Sequence, residues 1–145
     1  MNLRKAQLED ALLVLEWRND ETSRKNSFNQ EVISQETHLN WFKKKLSDES
    51  CLFYILEDEE GPAGCIRLDV TKDIGEISSM IEPSRRGKGY GTIIMSLMEK
   101  EAKKAGLKTL VGFVSSSNPA SAKCCENNDY VKLVAGDIDL YIKNI

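Results

Sequence analysis

The sequence lacks a long apolar run, an excess of positive charge and a signal-peptide core. No stretch approaches the roughly eighteen apolar residues of a membrane-spanning helix, and residues 1–5 lead directly into structured pattern. Lysine and arginine number 20 against 23 aspartates and glutamates, and the resulting net charge of −3 disfavours a protein that neutralises nucleic-acid phosphates. We therefore expect a cytoplasmic protein that binds neither nucleic acid nor membrane.

Patterns for metal binding and for disulfides are also missing. His38 is the only histidine, and the four cysteines stand at positions 51, 65, 124 and 125 without Cys-x-x-Cys spacing. A zinc site needs clustered histidine, cysteine or carboxylate ligands, and a secreted disulfide framework needs regularly spaced cysteines. We expect reduced thiols and no metal ion.

The apolar pattern predicts strands and helices within one domain that spans residues 1–145. Three consecutive strand patterns in the middle of the chain indicate an α/β protein of the α+β kind, with a mixed, mainly antiparallel central sheet and helices on both faces. Residues 21–30 are polar and aperiodic, which predicts a loop, and residues 57–62 predict an acidic hairpin turn. The predicted strands are 3–6, 51–56, 63–70, 75–81, 109–114, 130–134 and 138–143, and the predicted helices begin near residues 8, 34, 89 and 119.

A glycine-rich segment, Arg-Arg-Gly-Lys-Gly-Tyr-Gly at residues 85–91, follows the predicted strand 75–81 and opens the predicted helix 89–105. Glycines at alternate positions let the backbone approach an anion closely, and the first N–H groups of a helix carry the positive end of its dipole. The segment has neither the Gly-Lys-Ser/Thr of a nucleoside-triphosphate loop nor the Gly-x-Gly-x-x-Gly of a dinucleotide fold. It predicts a pyrophosphate site formed by Arg86, Gly87, Lys88, Gly89, Tyr90 and Gly91.

Arg86, Gly89 and Gly91 fill the pattern Arg/Gln-x-x-Gly-x-Gly, which resembles the pyrophosphate loop of the GNAT superfamily of acyl-CoA-dependent N-acetyltransferases. Residues 75–83 resemble the family's fourth strand and residues 118–122 the start of its fourth helix, so the resemblance covers essentially the whole chain. It implies the element order β-α-α-β-β-β-α-β-α-β-β, with strands 75–81 and 109–114 splayed apart. It also implies acetyl-CoA as co-substrate and transfer of an acetyl group to a primary amine within a ternary complex.

The same resemblance assigns roles along the CoA molecule. The loop amides would hold the pyrophosphate, and the edge of strand 75–81 would pair with the pantetheine arm. A backbone N–H near Met80 or Ile81 would polarise the thioester carbonyl. Asn118 would contact pantetheine, and its residue type also makes it a good N-cap for the helix that follows.

Acetyl transfer needs a base for the ammonium and an acid for the departing thiolate. Glu76 stands where many relatives carry a glutamate base, and His38 titrates near neutral pH. Relatives with Asn-x-x-Ala-x-x-x-Tyr use the tyrosine as acid, but here the seventh residue after Asn118 is Cys125, whose neutral thiol could donate instead. Structural alternatives remain open: a solvated strand-end charge for Glu76, a half-buried helix residue for His38 and a core position for Cys125.

The family's usual Gly-Phe after this helix is replaced by Asp129-Tyr130. This departure predicts a strained or altered turn. Tyr130 and Tyr141 are further candidate proton donors.

The first two helices supply the candidates for binding the acceptor amine. Trp-Arg-Asn at residues 17–19 with His-x-x-Trp-Phe at residues 38–42 resembles the branch that acetylates 4-amino groups of UDP-linked deoxy-sugars in surface-glycan pathways. Guanidinium groups would pair with a diphosphate, and a tryptophan ring would stack on a sugar or base. Three alternatives stay open: core packing for these side chains, acetylation of protein amino termini, and an acyl-CoA-binding module with little catalysis. The candidates are Trp17, Arg18, Asn19, Arg24, His38 and Trp41, and exchange of strand 138–143 could form a homodimer.

Overall fold

The computed structural model describes residues 1–145 and contains one seven-stranded sheet with helices on both faces. One-turn 3-10 helices lie at Leu8–Asp10 and Pro83–Arg85. No helix combines the length and apolar composition needed to cross a bilayer. The strands are β1 (Asn2–Lys5), β2 (Cys51–Asp58), β3 (Gly61–Thr71), β4 (Ile74–Ile81), β5 (Thr109–Ser115), β6 (Val131–Val134) and β7 (Ile138–Asn144). The helices are α1 (Ala11–Asn19), α2 (Glu21–Lys25), α3 (Gln35–Ser47), α4 (Tyr90–Lys104) and α5 (Pro119–Asn127).

The strand order across the sheet is β1-β2-β3-β4-β5-β7-β6. Every neighbouring pair is antiparallel except β4 with β5, which run parallel because α4 crosses between them. The predicted mixed, mainly antiparallel sheet is therefore confirmed.

Each face of the sheet buries its own apolar cluster. Side chains alternate along a strand, so Cys65 of β3 packs toward α1 and α3, whereas Ile66 and Leu68 pack toward α4. Phe42 of α3 and Met98 of α4 are fully buried on the two sides, and complete burial of such a side chain contributes about 1.5–3 kcal/mol.

Two local predictions were right only in part. Residues 21–30 begin with the short helix α2, because the Asp20 carboxylate caps it by accepting a hydrogen bond from the Ser23 N–H (3.2 Å). None of its residues is buried, so no apolar periodicity could reveal it. Residues 57–62 do form the predicted hairpin, but its turn is shorter than predicted: β2 extends to Asp58 and β3 begins at Gly61, which adopts a left-handed φ of +117°.

Strands β4 and β5 stay paired for only a short distance. Residues 74–76 pair with residues 109–111, and no pairing continues beyond them although both strands do. The two strands therefore diverge toward the carboxyl end of β4, as the resemblance implied. The resulting gap exposes backbone along β4 and places the end of that strand beside the glycine-rich loop.

Candidate active site

A cleft of about 340 Å³ occupies the gap between the diverging strands. Residues 77–80 of β4 and residues 112–115 of β5 form its two walls, and Asn118 and Cys125 of the α5 region line it as well. Residues 26–29, which follow α2, also line the cleft. No group of three or more His, Cys, Asp or Glu side chains is arranged to hold a metal ion.

The glycine-rich loop leaves a series of backbone amides without partners. Gly87 and Gly89 have φ of +75° and +83°, a left-handed conformation that favours glycine, and a Cβ at either position would meet nothing within 4 Å. The N–H groups of residues 87–92 donate to no backbone carbonyl of the chain. These amides also lie at the positive end of the 15-residue helix α4, so they can donate hydrogen bonds to an anion such as pyrophosphate.

Gly91 is required for a different reason. A Cβ at this position would lie 2.6 Å from the Cys124 Sγ, closer than packed atoms approach. The glycine therefore allows α4 and α5 to touch. The sequence pattern alone could not separate this packing role from anion binding.

Arg86 has a counter-ion within the protein. Its Nη1 donates to the Asp20 Oδ2 and its Nη2 donates to the Ser23 Oγ, both at 2.8 Å. The hydrogen bond from Arg86 is the main cause that lowers the pKa of Asp20. The predicted pyrophosphate arginine is thus tied to the start of α2, whereas Lys88 is exposed.

A second set of polar contacts anchors the loop to the β2–β3 hairpin. Arg85 binds the Asp58 carboxylate through two nitrogens at 2.9 and 3.0 Å, and the Tyr90 hydroxyl donates to the same carboxylate at 2.9 Å. Arg85 and Tyr90 lower the pKa of Asp58. The Tyr90 side chain, predicted to bind the cofactor, therefore has a structural contact. Arg85 was not among the predicted site residues, because its partner lies in a distant hairpin.

Asn118 both caps α5 and lines the cleft. Its Oδ1 accepts a hydrogen bond from the Ser121 N–H (3.2 Å), which confirms the predicted cap. Its Nδ2 donates to no group of the chain and remains available for a ligand carbonyl.

Cys125 lies in the cleft wall and is 3% exposed. Burial raises the pKa of its thiol to about 11, so the thiol stays protonated at neutral pH. The hydroxyls of Tyr130 and Tyr141 are buried without hydrogen-bond partners, and burial also raises the pKa of Tyr130. Neither tyrosine lines the cleft.

Asp129 adopts a left-handed φ of +64° after α5. The N–H groups of Asp129 and Tyr130 donate to the carbonyls of Glu126 and Cys125, the pattern of a Schellman helix end, in which this position is usually glycine. The predicted strained turn is therefore present.

Glu76 does not line the cleft. It pairs with Asp69 of β3 and Val111 of β5, at the last position before the strands diverge. Its side chain lies on the same face of β4 as that of Ser78, which does line the cleft. Any role of Glu76 in proton transfer would therefore require an intervening water.

His38 lies in the core, contrary to the expectation that it faces the site. It is 1% exposed, and its Nε2 lies 2.7 Å from the Ala11 carbonyl oxygen, so Nε2 is the protonated nitrogen. Burial lowers the pKa of the ring. The imidazole connects α3 to the start of α1 and does not reach the cleft.

The predicted acceptor residues separate into two groups. Trp17 is 2% exposed in the core, Asn19 exchanges two 2.9 Å hydrogen bonds with the Ile33 backbone, and the Arg24 Nε donates to the Asn19 carbonyl. None of these three side chains lines the cleft, which corrects the prediction. Arg18 and Trp41 do line it.

Arg67 was missed by the sequence analysis and also lines the cleft. It belongs to β3, on the face shared with Cys65, which packs toward α3. The two-residue alternation could have predicted that face. The contact with α3 depends on tertiary packing and could not be predicted.

A cleft between diverging strands, near a loop of free amides at a helix start, is the arrangement expected of a site for a pyrophosphate-bearing acyl donor. Residues 1–131 match the acetyltransferase (GNAT) domain family, and the chain belongs to that family. It is thus an acetyl-CoA-dependent N-acetyltransferase of the GNAT type.

Individual relatives show how widely this fold is shared. YwnH of Bacillus subtilis (strain 168), described as a candidate phosphinothricin acetyltransferase, is 27% identical, with 91% of this chain and 85% of that protein covered. The spermidine N-acetyltransferase of Vibrio cholerae, solved with CoA and spermine, superposes with a TM-score of 0.88 at 16% identity, covering 99% and 94% of the two chains. The aminoglycoside acetyltransferase AAC(6')-Ib, solved with coenzyme A, gives a TM-score of 0.85 at 16% identity, covering 99% and 94%. The structural likenesses establish the fold.

Proposed function

We propose that this protein acetylates the primary amine of a small molecule by direct attack within a ternary complex, and that the amine belongs to a nucleotide-linked amino sugar. The observation that supports this proposal is the cleft itself. It lies along residues 77–80 of β4, the strand that leads to the loop of free amides, and Arg18 and Trp41 line it as well. The gap between the strands therefore offers a place where an acyl donor and an acceptor could meet.

The loop residues fit a pyrophosphate. A Cβ built at Gly87 or Gly89 finds open space, and the neighbouring N–H groups have no backbone acceptor. When bound, acetyl-CoA supplies an acetyl group activated as a thioester. The amides would hold its phosphates, and the Asn118 Nδ2 would donate to an amide carbonyl of the pantetheine arm.

The exposed edge of β4 can position the thioester. The Glu82 N–H donates to the Ala63 carbonyl at 2.9 Å, so alternate residues, including Met80, direct their backbone groups to β3. The backbone groups of Ser79 and Ile81 consequently face the gap. Of the two residues predicted to polarise the carbonyl, Ile81 has the suitable N–H and Met80 contributes its side chain to the cleft wall.

The chemical step forms a C–N bond, breaks the C–S bond, removes a proton from the amine and returns one to the thiolate. The cleft lining contains no carboxylate and no imidazole, so we assign the base to Glu76 acting through a water beside Ser78. Burial raises the pKa of the Cys125 thiol to about 11, above the 8.5 or so of an ordinary thiol, so Cys125 is a poor proton donor to the thiolate. Solvent is the better proton source.

The test is thiol release from acetyl-CoA against UDP-4-amino-deoxy-sugars, amino-terminal peptides, amino acids and polyamines, with calorimetric CoA binding measured in parallel. Turnover highest with the sugar nucleotide is expected. Tight CoA binding without turnover on any amine would contradict the proposal.

Matched variants test the assigned roles. Glu76→Gln should lower turnover most strongly at low pH with unchanged CoA affinity. Glu59 has an exposed carboxylate on the β2–β3 turn, so Glu59→Gln is the charge-matched control. Cys125→Ala should change kcat by less than about threefold if solvent donates the proton, because the general-acid contribution of a side chain is typically 100-fold or more.

A further inference from the structure

Two arginines meet at Trp41 in the wall of the cleft. The guanidinium carbon of Arg18 lies 4.9 Å from the centre of the Trp41 ring, and that of Arg67 lies 5.1 Å from it. Both contacts are within cation–π range, so the ring holds the two groups in place. The three residues come from α1, α3 and β3.

The charged side chains that line the cleft are all positive. Arg18 and Arg67 are the only charged residues that line it, and no aspartate or glutamate does. Like charges near one another in a partly buried site repel, and burial adds a desolvation cost. The proximity of Arg67 and the burial of Arg18 both lower the pKa of Arg18, with burial the larger cause.

The nearby carboxylates do not neutralise both arginines. The Asp69 Oδ2 accepts from the Arg67 Nε at 3.0 Å, but its Oδ1 is already bound by the Lys45 Nζ at 2.8 Å. The terminal nitrogens of Arg67 have no acceptor, and Arg18 makes no ion pair or hydrogen bond within the chain. One carboxylate therefore serves two cations, and Arg18 has none.

We propose that Arg18 and Arg67 bind an anionic group of the acceptor, so that the enzyme selects an amine that also carries a carboxylate or a phosphate. This inference rests on the proposed acetyl transfer and narrows its acceptor class. Guanidinium groups bind carboxylates and phosphates through paired hydrogen bonds. Amino acids and amino-sugar phosphates both carry an amine together with such an anion. Polycationic amines would meet Arg18, which has no counter-ion, and Arg67, which shares Asp69 with Lys45, and they would find no carboxylate in the cleft lining.

Direct binding of simple anions tests the site without turnover. The protein is first saturated with CoA, which occupies the loop amides, and is then titrated with inorganic phosphate or with succinate at constant ionic strength. Tryptophan fluorescence reports binding, because both guanidinium groups lie over the Trp41 ring, whereas Trp17 is buried in the core. A saturable change is expected, and Trp41→Phe should remove the signal. Phosphate and succinate distinguish the two anion chemistries.

Variants locate the anion. Arg18→Gln and Arg67→Gln should each raise the Kd of the anion by about 10- to 100-fold, the range for losing hydrogen bonds to a charged group. Arg67→Lys keeps the positive charge but loses the paired N–H donors of the guanidinium group. Its Kd for the anion should lie between those of the wild type and Arg67→Gln. Lys43→Gln removes one positive charge from an exposed position of α3 and should leave the Kd unchanged. CoA affinity in all variants reports on folding.

Steady-state kinetics complete the test. In the wild type, amines with a carboxylate or phosphate should have lower KM than spermidine, and Arg67→Gln should raise KM for the anionic amines with little effect on the Kd of CoA. Anion binding that both arginine variants leave unchanged, or preferred turnover of polycations, would overturn the inference. Retained anion binding without turnover on any amine would support the anion site and contradict the proposed reaction.

Discussion

Asp20→Asn is expected to tighten CoA binding. The Asp20 carboxylate holds Arg86, the arginine of the pyrophosphate loop, at 2.8 Å, and a bound phosphate would have to displace it. Asparagine is as good a helix cap as aspartate, so α2 should keep its start. The substitution therefore removes a competing anion and retains the local fold.

The size of the effect follows from the exposure of the pair. The side chains of Arg86 and Asp20 are 30% and 28% exposed, which places the ion pair among those worth about 0.2–1 kcal/mol. Because the Ser23 hydroxyl also accepts from Arg86 at 2.8 Å, we use the upper half of that range. The expected decrease in the Kd of CoA is about two- to fivefold.

Isothermal titration calorimetry with CoA at low and moderate salt measures this change. Glu21→Gln removes the same charge one residue away, without any contact to Arg86, and controls for general electrostatics. The difference between the two variants should become smaller when salt is raised, because salt screens a partly exposed ion pair. Weaker CoA binding in Asp20→Asn would refute the reasoning and show that Asp20 orients Arg86 for the phosphate.

Three further predictions concern stability. Asp129→Gly should stabilise the protein by about 0.5–1 kcal/mol, because glycine adopts the left-handed φ without steric cost, and urea unfolding measures the gain. Gly91→Ala should destabilise by about 1–3 kcal/mol through its contact with Cys124, and Cys124→Ala in the same chain should restore most of that loss; additive effects of the two changes would disprove the contact. Asp58→Asn should flatten the decline of stability in acid. The contribution of Asp58 is complete above the ordinary pKa of about 3.9 and is lost as pH falls through its lowered folded-state pKa, so equal slopes of stability against pH in wild type and variant would contradict the role of Arg85.

Most of the architecture could be predicted because its signals are local. The period of apolar residues identified the long helices α3 and α4 and the three central strands, and Asn118 marked the start of α5. Helix α2 was missed, since its stability depends on the cap at Asp20 and on the distant Arg86. The predicted ends of β2 and β3 differ from the observed ends, because the turn between these strands contains fewer residues than the polar segment predicted.

The candidate site was predictable only where it is built from backbone groups. The sequence by itself determined the glycine-rich loop, because left-handed φ values and a helix start are properties of a few neighbouring residues. The tertiary structure decided which side chains reach the cleft. It buried His38, and it brought Arg67 beside Trp41 from a different element. Such contacts join residues far apart in the chain, so they depend on how the sheet and helices pack, and that information is spread over the whole sequence.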